Sequence, residues 1–119
     1  MKYMLLLNRT ADALPEPGTP ELDRINSEYA AAVVAMGQAG VLIDCAPLAA
    51  GSSTTTVRVR DGETIITDGP SAEIKEQLGG YSIIECADLD EALKWAAAIP
   101  AARDASVEIR PIAAMPAPG

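Results

Sequence analysis

Residues 57–81 read VRVRDGETIITDGPSAEIKEQLGGY, and the centre of this stretch leaves the backbone few choices. Asp61-Gly62 stands between Thr54–Arg60 and Glu63–Thr67, two runs rich in Thr, Val and Ile. A two-residue type I′ turn needs positive φ at both central positions, and Asp-Gly tolerates that conformation well. The spacing predicts a β-hairpin. Asp68-Gly69-Pro70 then turns the chain. Ala72 to Leu78 reads as a helical turn ended by Gly79-Gly80, with Tyr81 to Cys86 as the next strand.

The flanking segments supply the rest of one domain. Lys2 to Asn8 is apolar at nearly every position and predicts a first strand, followed by a Pro- and Gly-containing loop over residues 9 to 18. Thr19-Pro20 is a helix start, with Thr at the N-cap and Pro at the first helical position. Leu22, Ile25, Tyr29, Val33 and Met36 recur at helical spacing, and Gly40 stops the helix as its C′ residue. Val41 to Cys45 is a short extended segment, and Gly51-Ser52-Ser53 a loop. Asp88 caps a second helix, with Glu91 at the N3 position of a capping box. Leu89, Ala92, Leu93 and Ala96 are its predicted inward stripe, and Pro100 closes it. Ser106 to Ile112 is the last strand. Residues 1–112 are expected to form a single domain, and residues 113–119, rich in Ala and Pro, a loose tail. The order βα, several strands, then αβ suits an α+β, ferredoxin-like domain: an antiparallel sheet with two main helices on one face.

Charge and missing residue types narrow the function. The chain has 119 residues, with 17 acidic against 9 basic side chains and a formal net charge of −8. Such a surface repels phosphate backbones, which argues against nucleic acid as a partner. No apolar run approaches transmembrane length and no basic amphipathic helix is present, so no membrane partner is expected. The N-terminal apolar run is too short for a signal sequence. Cys45 and Cys86 fit no metal or redox spacing. These features together make a reduced, cytoplasmic protein the default. There is no histidine, and zinc, copper and iron sites normally use His or clustered Cys. Asp88, Asp90 and Glu91 offer oxygens to a hard cation, but helix capping already accounts for them. No Gly-rich phosphate loop leads into a helix. Neither a metal nor a cofactor is expected.

The strands carry apolar residues on both parities. Tyr3, Leu5 and Leu7 point one way and Met4 and Leu6 the other; Ile65-Ile66 and Ile83-Ile84 are adjacent pairs. Two helices cover only one face of a sheet. The second face is expected to meet a second copy, giving a homodimer packed sheet to sheet. The alternative is that residues 41 to 53 fold across it.

Several stretches resemble one family closely. Thr56 to Gly62, Thr67-Asp68-Gly69-Pro70, Glu73 to Tyr81, Leu89 to Ala96, Ile99-Pro100 and Val107 to Pro111, together with the opening Tyr3-Met4-Leu5-Leu6, are similar to the DGPF branch of the YCII-related domain family. The resemblance spans nearly the whole chain. It implies a ferredoxin-like fold that pairs into a dimeric α/β barrel. It also implies either an accessory role, since some members are encoded beside extracytoplasmic-function sigma factors, or an enzyme with a His-Asp pair in a cleft. Asp68 is the position that matches the acidic partner. This chain departs from the pattern twice. Ser71 replaces the aromatic of the namesake motif, and the absence of histidine rules out a His-Asp dyad.

Asp68 is therefore the candidate catalytic residue, a carboxylate at a strand end that would serve as acid or base; its competing role is turn formation. Arg58, Arg60 and Lys75 are candidate anion-binding groups, with Arg58 and Arg60 on one strand face; the competing reading is a solvated surface. Tyr81, after the glycine pair, is a candidate hydrogen-bond donor to a ligand. Ser71 as a nucleophile would lack a histidine base, Cys86 reads as a buried small hydrophobe, and Trp95 as a packing residue. Two functions follow. One is a small-molecule-binding or accessory protein in a stress-response or sigma-factor setting. The other is a small cofactor-independent enzyme using Asp68 on a compact anionic or carbonyl substrate.

Overall fold

A computed structural model of the chain describes residues 1–10, 15–69 and 76–115. Its elements are β1 (Lys2–Thr10), α1 (Pro20–Gln38), β2 (Leu42–Pro47), β3 (Thr55–Arg60), β4 (Glu63–Asp68), β5 (Glu76–Glu85), α2 (Leu89–Ala97), the four-residue α3 (Ala101–Asp104) and β6 (Ser106–Pro111). Four strands form one antiparallel sheet in the order β2-β5-β1-β6. With the hairpin set aside, the chain runs βαββαβ with its first and third sheet strands adjacent at the centre. This is the α+β, ferredoxin-like arrangement that the element order suggests.

Local chemistry sets the helix ends. The Thr19 hydroxyl accepts from the Leu22 N–H at 3.3 Å, with Pro20 behind it. At the other end Gly40 adopts φ 73°, its N–H reaches the Gly37 carbonyl, and the Val41 N–H reaches Met36. These two bonds are the Schellman pattern, which a residue without Cβ accommodates at C′. Asp88 accepts from the Glu91 N–H at 2.9 Å, while Glu91 Oε2 accepts from the Ala87 N–H at 2.6 Å. The box thus closes one residue before the cap.

The core lies between α1, α2 and one face of the sheet. Tyr3 and Leu5 of β1, Ile84 of β5, Met36, Val41, Ala92, Ala96 and Ile99 are buried there, with Leu7, Val107 and Ile109 packed against them. Within α2 the inward stripe differs from the expected one. Ala92 and Ala96 are buried, but Leu89 and Leu93 are 49% and 50% exposed. Trp95 and Ile99 complete the stripe. Alanine at the contact lets the helix approach the sheet closely, so the leucines one turn apart are rotated outward.

Three further readings change. β1 runs on to Thr10, two residues into the expected loop, because β5 also extends beyond its expected start and pairs Arg9 with Gln77 and Thr10 with Glu76. Gly79-Gly80 lies inside β5 and ends no helix. Residues 72–75 of the expected helical turn fall outside the described residues, and residues 76–78 are strand. Leu42–Pro47 does not fold across the open face; it is an edge strand in the same sheet, paired with β5.

The β3-β4 hairpin forms a separate two-stranded sheet, with Asp61 and Gly62 at φ 52° and 79°. Val57 pairs with Ile66 and Val59 with Thr64 on one of its faces. Val57, Val59 and Ile66 are 60%, 59% and 67% exposed. The molecule is accordingly spread out. Its radius of gyration is 16.6 Å, against about 13.5 Å for a compact domain of this length.

Candidate functional site

A cleft of about 320 Å³ opens between α1 and the helix-facing side of β1, β5 and β2. That volume lies at the lower end of the range for small-molecule sites. Ile25, Asn26, Tyr29, Ala30 and Val33 form its roof, one helical face at i, i+1, i+4, i+5 and i+8. Its floor comes from Leu7, Gly80, Ser82, Cys45 and Pro47, with Arg9 and Gly79 at one end.

The register accounts for this floor. Leu7 lies opposite Gly80, and Ser82 lies between Leu5 on β1 and Cys45 on β2. Where the neighbouring row carries Ile84, this row carries glycine and serine, so the sheet surface is hollow beneath α1. Gly80 is also needed for strand pairing: a Cβ there would lie 3.0 Å from the Ala46 carbonyl oxygen. Gly79 is the extra residue of a bulge between the Leu7–Gly80 and Asn8–Leu78 pairs. A Cβ on Gly79 would lie 3.0 Å from Cδ and 3.1 Å from Nε of Arg9. The Arg9 side chain therefore lies flat over the bulge, and its Nη2 donates to the Leu48 carbonyl at 3.4 Å.

The electrostatics of the cleft are one-sided. Among the described residues that line it, Arg9 is the sole charged group and none is a carboxylate. Burial, and next Asp104, push the Tyr29 phenol above its ordinary pKa, while Arg9 and Arg103 act in the opposite direction. Ser82 is only 3% exposed, yet it lines the cleft. Beneath α1, apolar walls thus enclose a few polar groups, the usual chemistry of a small-ligand site.

The residues singled out in the sequence are dispersed. Tyr81 borders the cleft, but strand alternation turns its side chain to the opposite face, where its hydroxyl donates to Asp44 Oδ2 at 3.0 Å. That bond raises the phenol's pKa. Asp68 is exposed at the end of β4, paired with Thr55, and does not line the cleft. Arg58 and Arg60 share a hairpin face, Arg58 half-buried and Arg60 exposed with its Nη1 on the Val59 carbonyl at 2.9 Å. Lys75 and Ser71 lie outside the described residues. Cys86 is a buried free thiol at the core, and burial raises its pKa.

Sequence reasoning passed over Arg9, Tyr29, Cys45 and Ser82 as site residues. One signal was available for Arg9: it continues the parity of Leu5 and Leu7. Placing it in a loop hid that. No metal-ligating cluster of three or more His, Cys, Asp or Glu occurs among the described residues. No described helix is long and apolar enough to cross a membrane.

Fold and cleft define a small α+β domain of the ferredoxin-like kind, with one site-sized hollow under its first helix. The YCII-related domain family matches residues 1–116, and the chain belongs to that family. An uncharacterized protein of Rhizobium meliloti (strain 1021) is 41% identical over 115 residues, which cover 95% of this chain and 93% of that protein. Among solved structures, 5-chloro-2-hydroxyhydroquinone dehydrochlorinase (TftG) from Burkholderia phenoliruptrix AC1100, in complex with 2,5-dihydroxybenzoquinone, aligns with a TM-score of 0.46 and 16% identity. That alignment covers 95% of this chain and 94% of the other.

Proposed function

We propose that the protein is a homodimeric small-molecule-binding module of the DGPF branch, cytoplasmic, acting as an accessory or sensor protein in a stress-response setting. The observation that carries the binding reading is the cleft under α1: its size, its apolar walls and its few polar groups suit one compact ligand.

The homodimer rests on the apolar surface left over. Met4, Leu6 and Ile83 share the sheet face away from the helices and stay half-buried, and one hairpin face carries exposed Val57, Val59 and Ile66. A second copy would cover such surface through a dimeric α/β barrel.

Ala30→Trp tests the cleft. Ala30 is exposed at the roof, so a large ring there would block the mouth and leave the core intact. Compact aromatic and aliphatic acids, amides and alcohols that raise the melting temperature of the wild type are expected to leave the variant unchanged. Equal stabilisation of both proteins would place binding elsewhere and end the reading.

The second reading is a cofactor-independent enzyme in which Asp68 is acid or base for a compact anionic or carbonyl substrate. Arg58, Arg60, Lys75 and Tyr81 would then hold the substrate. Its support is the exposure of Asp68, whose carboxylate is open to a reactant.

A further inference from the structure

We propose that Arg9 is an anion-recognising residue, and that the cleft under α1 takes a compact monoanion: an apolar body bearing one carboxylate. The inference rests on the cleft being a ligand site and adds the ligand's chemical class.

The charge distribution comes first. The chain carries 17 acidic and 9 basic side chains, so a cleft lined by chance would more often contain carboxylates than cations. Among the described residues, this one contains a single cation and no carboxylate. A cationic ligand would meet Arg9 with nothing to offset it. A dianion would leave one charge unmatched in an apolar enclosure, at a large desolvation cost.

Arg9 is also placed for the task. Its stem follows Leu7 along the floor, and Gly79 leaves room beside it: a Cβ there would lie 3.0–3.2 Å from Arg9 Cγ, Cδ and Nε and make the side chain shift. Among the described residues it makes no salt bridge; its hydrogen bond there is to the Leu48 carbonyl at 3.4 Å, at the long limit for such a bond. A guanidinium held in a cleft with no carboxylate partner among the described residues presents its fork to a ligand carboxylate.

A second observation is independent of the charge. Ser82 is buried to 3% and lines the same floor. No described group is its hydrogen-bond partner, and no side-chain N or O that is fully shut off from solvent lacks one. The Ser82 hydroxyl therefore opens on the cleft and offers a donor or acceptor to what enters it. Leu7, Ile25, Val33 and the Tyr29 ring supply the apolar surface for the body of the ligand.

The test uses three shape-matched compounds, benzoate, benzamide and benzylammonium, titrated into the full chain and followed by amide chemical shifts at Gly80, Ser82 and Val33. Benzoate is expected to bind most tightly, with shifts at these three amides. Arg9→Gln should weaken benzoate by about tenfold or more, the size expected for a charge-assisted hydrogen-bond pair, and leave benzamide unchanged. Gly79→Ala is a second variant that keeps Arg9 but crowds its stem; it too should weaken benzoate selectively. Benzamide matching benzoate in wild type and both variants would overturn the anion preference and leave the ligand-binding reading standing. Benzylammonium binding best would overturn it likewise. Failure of all three to shift any cleft amide at millimolar concentration would remove both.

Discussion

Asp68 and Asp88 each stand where the chain changes direction, and the sequence suggests a cap or turn for both. The structure separates them. Asp88 holds the Glu91 N–H at 2.9 Å, whereas Asp68 is an exposed strand-end residue. Their substitutions should differ accordingly. Asp88→Ala is expected to cost about 1 kcal/mol, as loss of an N-cap does. Asp68→Asn is expected to stay within about 0.5 kcal/mol of the wild type, as for a surface change away from special features. Urea melts at neutral pH measure both. A loss of 1 kcal/mol or more in Asp68→Asn would make Asp68 a structural turn residue and remove the base from the enzymatic reading. Single-residue signals were legible where a local backbone bond decides them, as at Thr19, Gly40, Asp61 and Asp88. For Arg9 only the strand parity was legible; its place over the bulge comes from Gly79, seventy residues away.

At the scale of elements, the strands and the two main helices predicted from patterning exist, with shifted ends, whereas residues 76–78 of the expected helical turn are strand. The hairpin is legible because Asp61-Gly62 determines its own turn. The Gly79-Gly80 pair misleads because glycine ends helices and also serves bulges and close strand contacts, and only the partner strands distinguish these uses. Gly80 provides the test. Its missing Cβ would stand 3.0 Å from the Ala46 carbonyl and 3.4 Å from Pro47 Cα, both backbone atoms that cannot rotate away. Gly80→Val is therefore expected to destabilise by about 1–3 kcal/mol. It should also raise amide exchange along β2, the edge strand whose position depends on that approach. A neutral Gly80→Val would show that β2 is free to move off. In α2 the expected inward stripe was Leu89, Ala92, Leu93 and Ala96, and only its two alanines are buried. Ala92 and Ala96 face inward because the contact is too close for larger side chains.

For the whole molecule, the surplus of apolar surface makes a testable demand. Leu6 lies near the centre of the open sheet face, between Tyr81 on β5 and Glu108 on β6. The wild type is expected to sediment as a dimer at micromolar concentration, and Leu6→Arg as a folded monomer, because one desolvated charge in the middle of an apolar interface is enough to separate it. A monomeric wild type would overturn the homodimer. The sequence by itself determined the order βα, several strands, then αβ, the helix and turn boundaries that local hydrogen bonds dictate, the hairpin, and the excess of apolar residues over what two helices can cover. It also settled that no His-Asp dyad exists here. Only the tertiary structure decided that β5 reaches back to pair with Arg9 and Thr10. Only the structure, too, placed Gly80 and Ser82 under α1 and left the resulting cleft with one cation and no carboxylate among the described residues. The reason is physical: caps and turns are written within a few consecutive residues, whereas a cleft is the space between segments distant in the chain, and its shape and charge exist only once their register is set.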